Sequence, residues 1–249
     1  MLTLLRQTRD LVYPPTCPLC VARLPEAQAT LLCETCERTL PRQWPPYCRC
    51  CGASLPGRWD AAAVCRRCLK LPVPAFDRLL APLVLTDGAR EALHLVKYQG
   101  RRRLAAHVAK ELSAFARRYL RDAPLTVVLP VPLHWRRLWR RGFNQAEWFA
   151  QPVAEELGLP LRTAWLARRR PTPSQTTFNR IQRLANLEGA FGLTAAGTAV
   201  AGERVLLVDD VITTGATVEA CARVLREAGA AGITVLAVAR TPLEAASPA

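Results

Sequence analysis

Three things are scarce in this chain. Only three of its 34 basic residues are lysine, it has three histidines, and no apolar run approaches a membrane span of roughly 18 residues. The first ten residues, Met-Leu-Thr-Leu-Leu-Arg-Gln-Thr-Arg-Asp, lack the apolar core of a signal peptide, so a cytoplasmic protein without membrane insertion is expected. The histidines offer no relay. His94 and His107 fall in helical patterns that suit surface or boundary positions, and His134 lies in a basic stretch near no carboxylate or serine in sequence. The Gly-Lys-Ser/Thr of a P-loop and the Gly-x-Gly-x-x-Gly of a dinucleotide fold are both absent.

Cysteine is scarce after residue 68 and dense before it. Nine of ten lie between Cys17 and Cys68, and the tenth, Cys221, falls on the apolar stripe of a helix as a small core residue. The spacing is regular: Cys17-x2-Cys20, Cys33-x2-Cys36, Cys48-x2-Cys51 and Cys65-x2-Cys68. Each pair offers two thiolates to a tetrahedral Zn²⁺, so four pairs make two closed sites, structural because no position is left for water. Sequential pairing (17, 20, 33, 36 and 48, 51, 65, 68) is the simpler choice, an interleaved one is the alternative, and Cys50 is spare. So short a segment buries little, and each metal site would supply on the order of 10 kcal/mol of its folding free energy. Redox pairs fit less well, because Pro-rich loops rather than a strand and helix surround the cysteines. The expected organisation is a double zinc ribbon over residues 1–71, a stiff connection at Pro72 and Pro74, and a second domain over residues 76–243.

The second domain declares its chemistry between Val205 and Thr217, Val-Leu-Leu-Val-Asp-Asp-Val-Ile-Thr-Thr-Gly-Ala-Thr. An uninterrupted apolar run suits a strand buried on both faces of a parallel sheet, ending at Asp209. A small-residue turn and a helix follow, and such a helix N-terminus gathers unpaired N–H groups into an anion cradle. Two carboxylates beside that cradle would repel phosphate, so they face hydroxyls or a divalent cation. A solvated loop or a metal-only site also accommodates two acids, but neither accounts for the turn. The run resembles the ribose-phosphate signature of type I phosphoribosyltransferases, which bind phosphoribosyl pyrophosphate (PRPP). The resemblance implies that Asp209 and Asp210 hold the ribose hydroxyls as candidate catalytic residues, and that Thr213, Thr214, Gly215, Ala216 and Thr217 hold the 5′-phosphate.

The formal charge of +14 is concentrated: Lys97 to Arg183 contains 18 basic and five acidic residues. Two four-thiolate zinc sites at about −2 each would lower the total to roughly +10. Two arginine-rich segments, within Val127–Gln145 and Arg168–Arg180, read as exposed loops suited to anions, either pyrophosphate or a nucleic acid stacking on Trp135, Trp139 and Phe143. A solvated, solubilising face is the plainer account of most single arginines.

The domain alternates as a parallel α/β sheet with helices on both faces. Strands are predicted near 79–85, 125–131, 161–166, 205–208 and 233–239, and helices over 89–97, 104–120, 144–157 and 214–227, with Pro152 forcing a kink or a fresh start in the third helix. The pieces together resemble the ComF family. The resemblance rests on Pro-Pro-Thr-Cys-Pro-Leu-Cys, Leu93–Gly100 with Lys97-Tyr98, Pro130–His134, Arg141-Gly142-Phe143-Asn144-Gln145, Gln175, Arg180, Arg183–Asn186 and the acidic signature. It implies a type I phosphoribosyltransferase-like domain behind zinc ribbons, and a role in natural transformation that handles single-stranded DNA, with DNA-uptake proteins as partners. It also implies PRPP or ribose 5-phosphate as ligand with Mg²⁺, and Lys97, Arg141, Arg180 and Arg183 as residues that neutralise the leaving pyrophosphate. Other readings are a metabolic phosphoribosyltransferase acting on an unidentified base and a non-catalytic PRPP sensor that binds nucleic acid.

Overall fold

A computed structural model describes residues 15–25, 31–57, 60, 62–171 and 186–242. Two short helices, α1 (Glu34–Arg38) and α2 (Arg66–Leu69), belong to the cysteine module. Beyond it come β1 (Arg78–Leu80), β2 (Leu83–Val84), α3 (Asp87–Gln99), α4 (Arg102–Leu120), β3 (Val127–Pro130), α5 (Trp135–Arg141) and α6 (Gln145–Leu157). The chain continues through β4 (Leu166–Arg168), β5 (Phe191–Leu193), a 3₁₀ turn (Ala195–Val200), β6 (Arg204–Ile212), α7 (Ala216–Glu227) and β7 (Gly232–Arg240). The main sheet is parallel throughout, in the order β1-β7-β6-β3, with β2 pairing the end of β7; β4 and β5 form a separate antiparallel pair.

The apolar run of β6 explains the layering. Leu206 and Val208 join a core cluster on one face of the sheet with α3, α4 and α6. Val205 and Leu207 join the other cluster with α7, β4 and β5, as the two-residue period of a strand requires. Cys221 is fully buried in that second cluster, a core residue as expected.

Several boundaries differ from the sequence reading. β6 does not stop at Asp209 but continues to Ile212, because β7 offers a parallel ladder as far as Arg240. The predicted strand 79–85 is split at Pro82, which has no N–H to donate to a ladder. The predicted strand 161–166 reduces to a bridge between Leu161 and Val128, and the extended segment lies at β4. The first arginine-rich stretch is not a loop but helix α5, where His134 caps the N-terminus and Gly142 takes the left-handed conformation (φ 80°) that ends it. Helix α6 runs through Pro152 as one element. The second arginine-rich segment lies largely outside the described residues.

The cysteine module is built onto the sheet edge. Gln43 N donates to Pro82 O (2.6 Å), Val84 N to Pro41 O (3.0 Å) and Leu79 N to Arg49 O (2.8 Å). Leu24, Leu32, Leu40 and Tyr47 belong to the same core cluster as α4, and Tyr47 packs on Phe115 and Tyr119 at ring separations of 6.1 and 5.9 Å. Gly52 is required where the module meets β1, since a Cβ there would come within 2.5 Å of Leu79 Cδ2.

Candidate functional site

The eight knuckle cysteines form two clusters, Cys17, Cys20, Cys33, Cys36 and Cys48, Cys51, Cys65, Cys68, each with all its Sγ atoms within 4.8 Å of one another. This is the sequential pairing. The Cys20–Cys33 and Cys51–Cys65 sulfurs stand 3.5 and 3.8 Å apart. A disulfide needs about 2.05 Å, whereas thiolates about 2.3 Å from a tetrahedral Zn²⁺ lie about 3.8 Å apart, so the clusters fit the ion. Backbone amides turn toward the sulfurs: Cys36 N donates to Cys33 Sγ (3.4 Å) and Cys65 N to Cys48 Sγ (3.3 Å). Each site is a closed four-thiolate cage with a structural role.

At the carboxyl end of β6 the two acids are buried, Asp209 8% and Asp210 4% exposed. As consecutive strand residues they point to opposite faces. Asp210 Oδ2 faces α3 and α6: Lys97 Nζ pairs with it at 2.6 Å and Gln145 Nε2 donates to it at 3.1 Å. Gln145 Oε1 in turn accepts from Arg141 Nη1 (2.5 Å), whose guanidinium stands 5.2 Å over the Tyr98 ring. Lys97, Arg141 and Asp210 are thus brought together, and Lys97, Tyr98, Arg140, Arg141 and Phe143 line a basic pocket beside the acid. Asp209 accepts from the Asp210 amide (2.8 Å). Burial, with the neighbouring Asp210 charge, pushes its carboxyl up to about 8, against the pull of Lys97.

The strand then turns. Gly215 adopts φ 78°, a left-handed conformation that favours glycine, and α7 begins at Ala216 rather than at the predicted Thr214. Residues 213–217 therefore wrap the N-terminus of a 12-residue helix beside the acids, the arrangement in which backbone N–H groups favour an anion. Arg180 and Arg183 lie outside the described residues.

Two residues in this network were not singled out as ligands from the sequence. Gln145 was visible only as part of the Arg-Gly-Phe-Asn-Gln motif, and Tyr98 only beside Lys97. Arg168 sits on β4, its pKa lowered by burial and by Arg137, with Asp209 among the charges that favour its cationic form. His134 is a cap rather than a ligand. It is 2% exposed, its Nδ1 accepts from Arg136 N (3.3 Å), and burial together with Arg136, Arg168 and Arg137 pushes its pKa down.

A pair of four-cysteine ribbons mounted on a parallel sheet, with an acid pair and a glycine-led helix at one strand end, defines a double zinc ribbon joined to a type I phosphoribosyltransferase-like domain. Family models agree: the double zinc ribbon domain matches residues 8–69 and the phosphoribosyl transferase domain residues 144–246. The chain is 35% identical over 235 residues to the DNA utilization protein YhgH of Salmonella typhimurium, covering 93% of this chain and 99% of the relative. It is 31% identical over 212 residues to competence protein F of Haemophilus influenzae, covering 84% and 90%. The chain belongs to the ComF family. A solved glutamine PRPP amidotransferase from B. subtilis aligns over 58% of this chain and 30% of its own, at 23% identity and a TM-score of 0.39. Among the described residues, no helix is long and apolar enough to cross a membrane.

Proposed function

We propose that the carboxyl end of β6 binds the ribose 5-phosphate part of PRPP with Mg²⁺, and that this site serves a protein that handles single-stranded DNA during DNA utilisation. One observation carries the reading: two buried carboxylates stand on successive residues of a central strand, three positions before the turn that opens a glycine-led helix. Asp209 and Asp210 would take the ribose hydroxyls and residues 213–217 the 5′-phosphate, and Mg²⁺, held beside the two carboxylates, would supply positive charge to the pyrophosphate. Displacement at C1 breaks the bond to pyrophosphate and forms one to an acceptor. Lys97 and Arg141, with Arg180 and Arg183, neutralise the leaving charge. Incubation with PRPP, Mg²⁺ and a panel of bases, nucleosides and oligonucleotides should release pyrophosphate. No release with any acceptor, together with saturable ribose 5-phosphate binding, would reduce the role to sensing.

The strand-handling part rests on α5. Trp135 and Trp139, four residues apart, are 62% and 86% exposed, among Arg136, Arg137 and Arg140. Exposed rings among arginines suit stacked bases and phosphates, at about 1–3 kcal/mol per stacked base. Binding of a fluorescent single-stranded oligonucleotide should weaken steeply with salt and fall in W135A/W139A; a flat salt response would remove this part.

A further inference from the structure

Arg240, the last residue of β7, is 5% exposed and lines one pocket with Ala53, Ser54 and Leu55 of the second ribbon, where Cys48 N donates to Ala53 O (2.8 Å) and closes the Cys48–Cys51 knuckle. A buried guanidinium ordinarily has a carboxylate partner, because an unpaired charge pays the full cost of desolvation. Arg240 Nε has no hydrogen-bond partner among the described residues. Burial lowers its pKa, and the negative charges that oppose the shift are those of Cys51, Cys65 and Cys48, while Arg67 adds to it. All three cysteines belong to the second four-cysteine site. A cation here suits the loaded site, since four thiolates around Zn²⁺ carry a net charge of about −2.

The backbone of Arg240 connects this cation to the turn that follows β6. Its carbonyl accepts from Leu85 N (2.7 Å), and it lies opposite Ile212 of β6 in the ladder. The next residue closes the turn: Thr241 N donates to Ile212 O (2.8 Å) and Thr241 Oγ1 to Thr213 O (3.2 Å). We infer that Arg240 is a positioning residue, the counter-cation of the second zinc site, through which metal occupancy of that ribbon holds the ends of β6 and β7 in register beside the 213–217 turn. The inference rests on the metal reading of the cysteines and not on the ribose-phosphate reading.

The test uses the full zinc-loaded chain. R240Q and R240K are exposed to excess chromogenic chelator and the release of the two ions is timed, with amide hydrogen exchange at Thr241 followed in parallel. Loss of a metal-site supporting partner typically costs about 10–100-fold in affinity. In R240Q one of the two ions should leave at least tenfold faster, the other at the wild-type rate, and the Thr241 amide should lose protection. R240K, which keeps the charge, should hold both ions within about twofold of wild type. Unchanged release of both ions in R240Q, or equal acceleration of both, overturns the assignment. Where R240Q does not fold, R240K decides alone: selective loss of one ion from it shows that conserved charge does not maintain the site, and the assignment fails.

Discussion

Lys97→Met isolates the ion pair on which the acid end of β6 depends. Asp210 has a side-chain exposure of 6% and Lys97 of 25%, with Nζ 2.6 Å from Oδ2. Removing one member of a buried pair costs about 3–5 kcal/mol, because the remaining charge stays buried without its partner. Here Asp210 keeps the Gln145 amide (3.1 Å) and the Val211 amide (2.6 Å), and water reaches the vacated lysine site. The expected loss is therefore at or below the low end of that range, about 2–3 kcal/mol. For a chain of this size that is a fall in thermal midpoint of roughly 5–10 °C. The assay is a double-mutant cycle of K97M, D210N and K97M/D210N by denaturant unfolding. With the charge gone from both sides, the double variant should recover most of the K97M loss. Additive single effects would refute the reasoning, since they would mean that the pair is not coupled.

Asp209 gives a pH signature. Its folded-state pKa of about 8 lies above the unfolded value near 3.9, so between those values the native state holds the extra proton and stability falls as pH rises from about 4 to about 8. Unfolding titrations across that window should show the slope in the wild type and a flatter profile in D209N; identical profiles would contradict it. If the ligand requires the ionised acid, the Kd for ribose 5-phosphate with Mg²⁺ should improve by up to about tenfold per pH unit between pH 6 and 8, with uptake by calorimetry releasing about one proton. Zinc removal should be felt beyond the ribbons, because Leu32, Leu40 and Tyr47 share a core with α4. Chelation should lower the thermal midpoint of the sheet domain and expose the Tyr47–Phe115–Tyr119 cluster, and an unmoved midpoint would show the two parts to be energetically independent.

What was legible in the sequence was what local pattern encodes. Two cysteines at a fixed offset form a knuckle regardless of tertiary context, so the eight ligands could be read directly, while the choice between sequential and interleaved pairing needed the fold. The apolar run of β6 permits little besides a buried parallel strand. What escaped depended on neighbours. Aspartate is a poor strand residue, so the sequence pattern of β6 stops at Asp209; the long β7 alongside it carries the ladder on to Ile212. The arginines of α5 read as loop because the helix has only seven residues and buries none of them, its apolar Trp135, Leu138 and Trp139 included. Gln145 gave no chemical signal of its own; its place is fixed by the cap at Asn144, which aims the first turn of α6 at Asp210. Arg240 was equally silent, since a lone arginine at a strand end says nothing until the second ribbon is folded beside it.

The central claim is that buried acids and a helix N-terminus at the end of β6 receive a phosphorylated pentose. Calorimetric titration of ribose 5-phosphate with Mg²⁺ into the full zinc-loaded chain, beside a D209N/D210N variant of native thermal stability, tests it directly. Saturable one-to-one binding that disappears in the variant is expected. Undiminished binding by the variant, or no binding by the wild type, would contradict it.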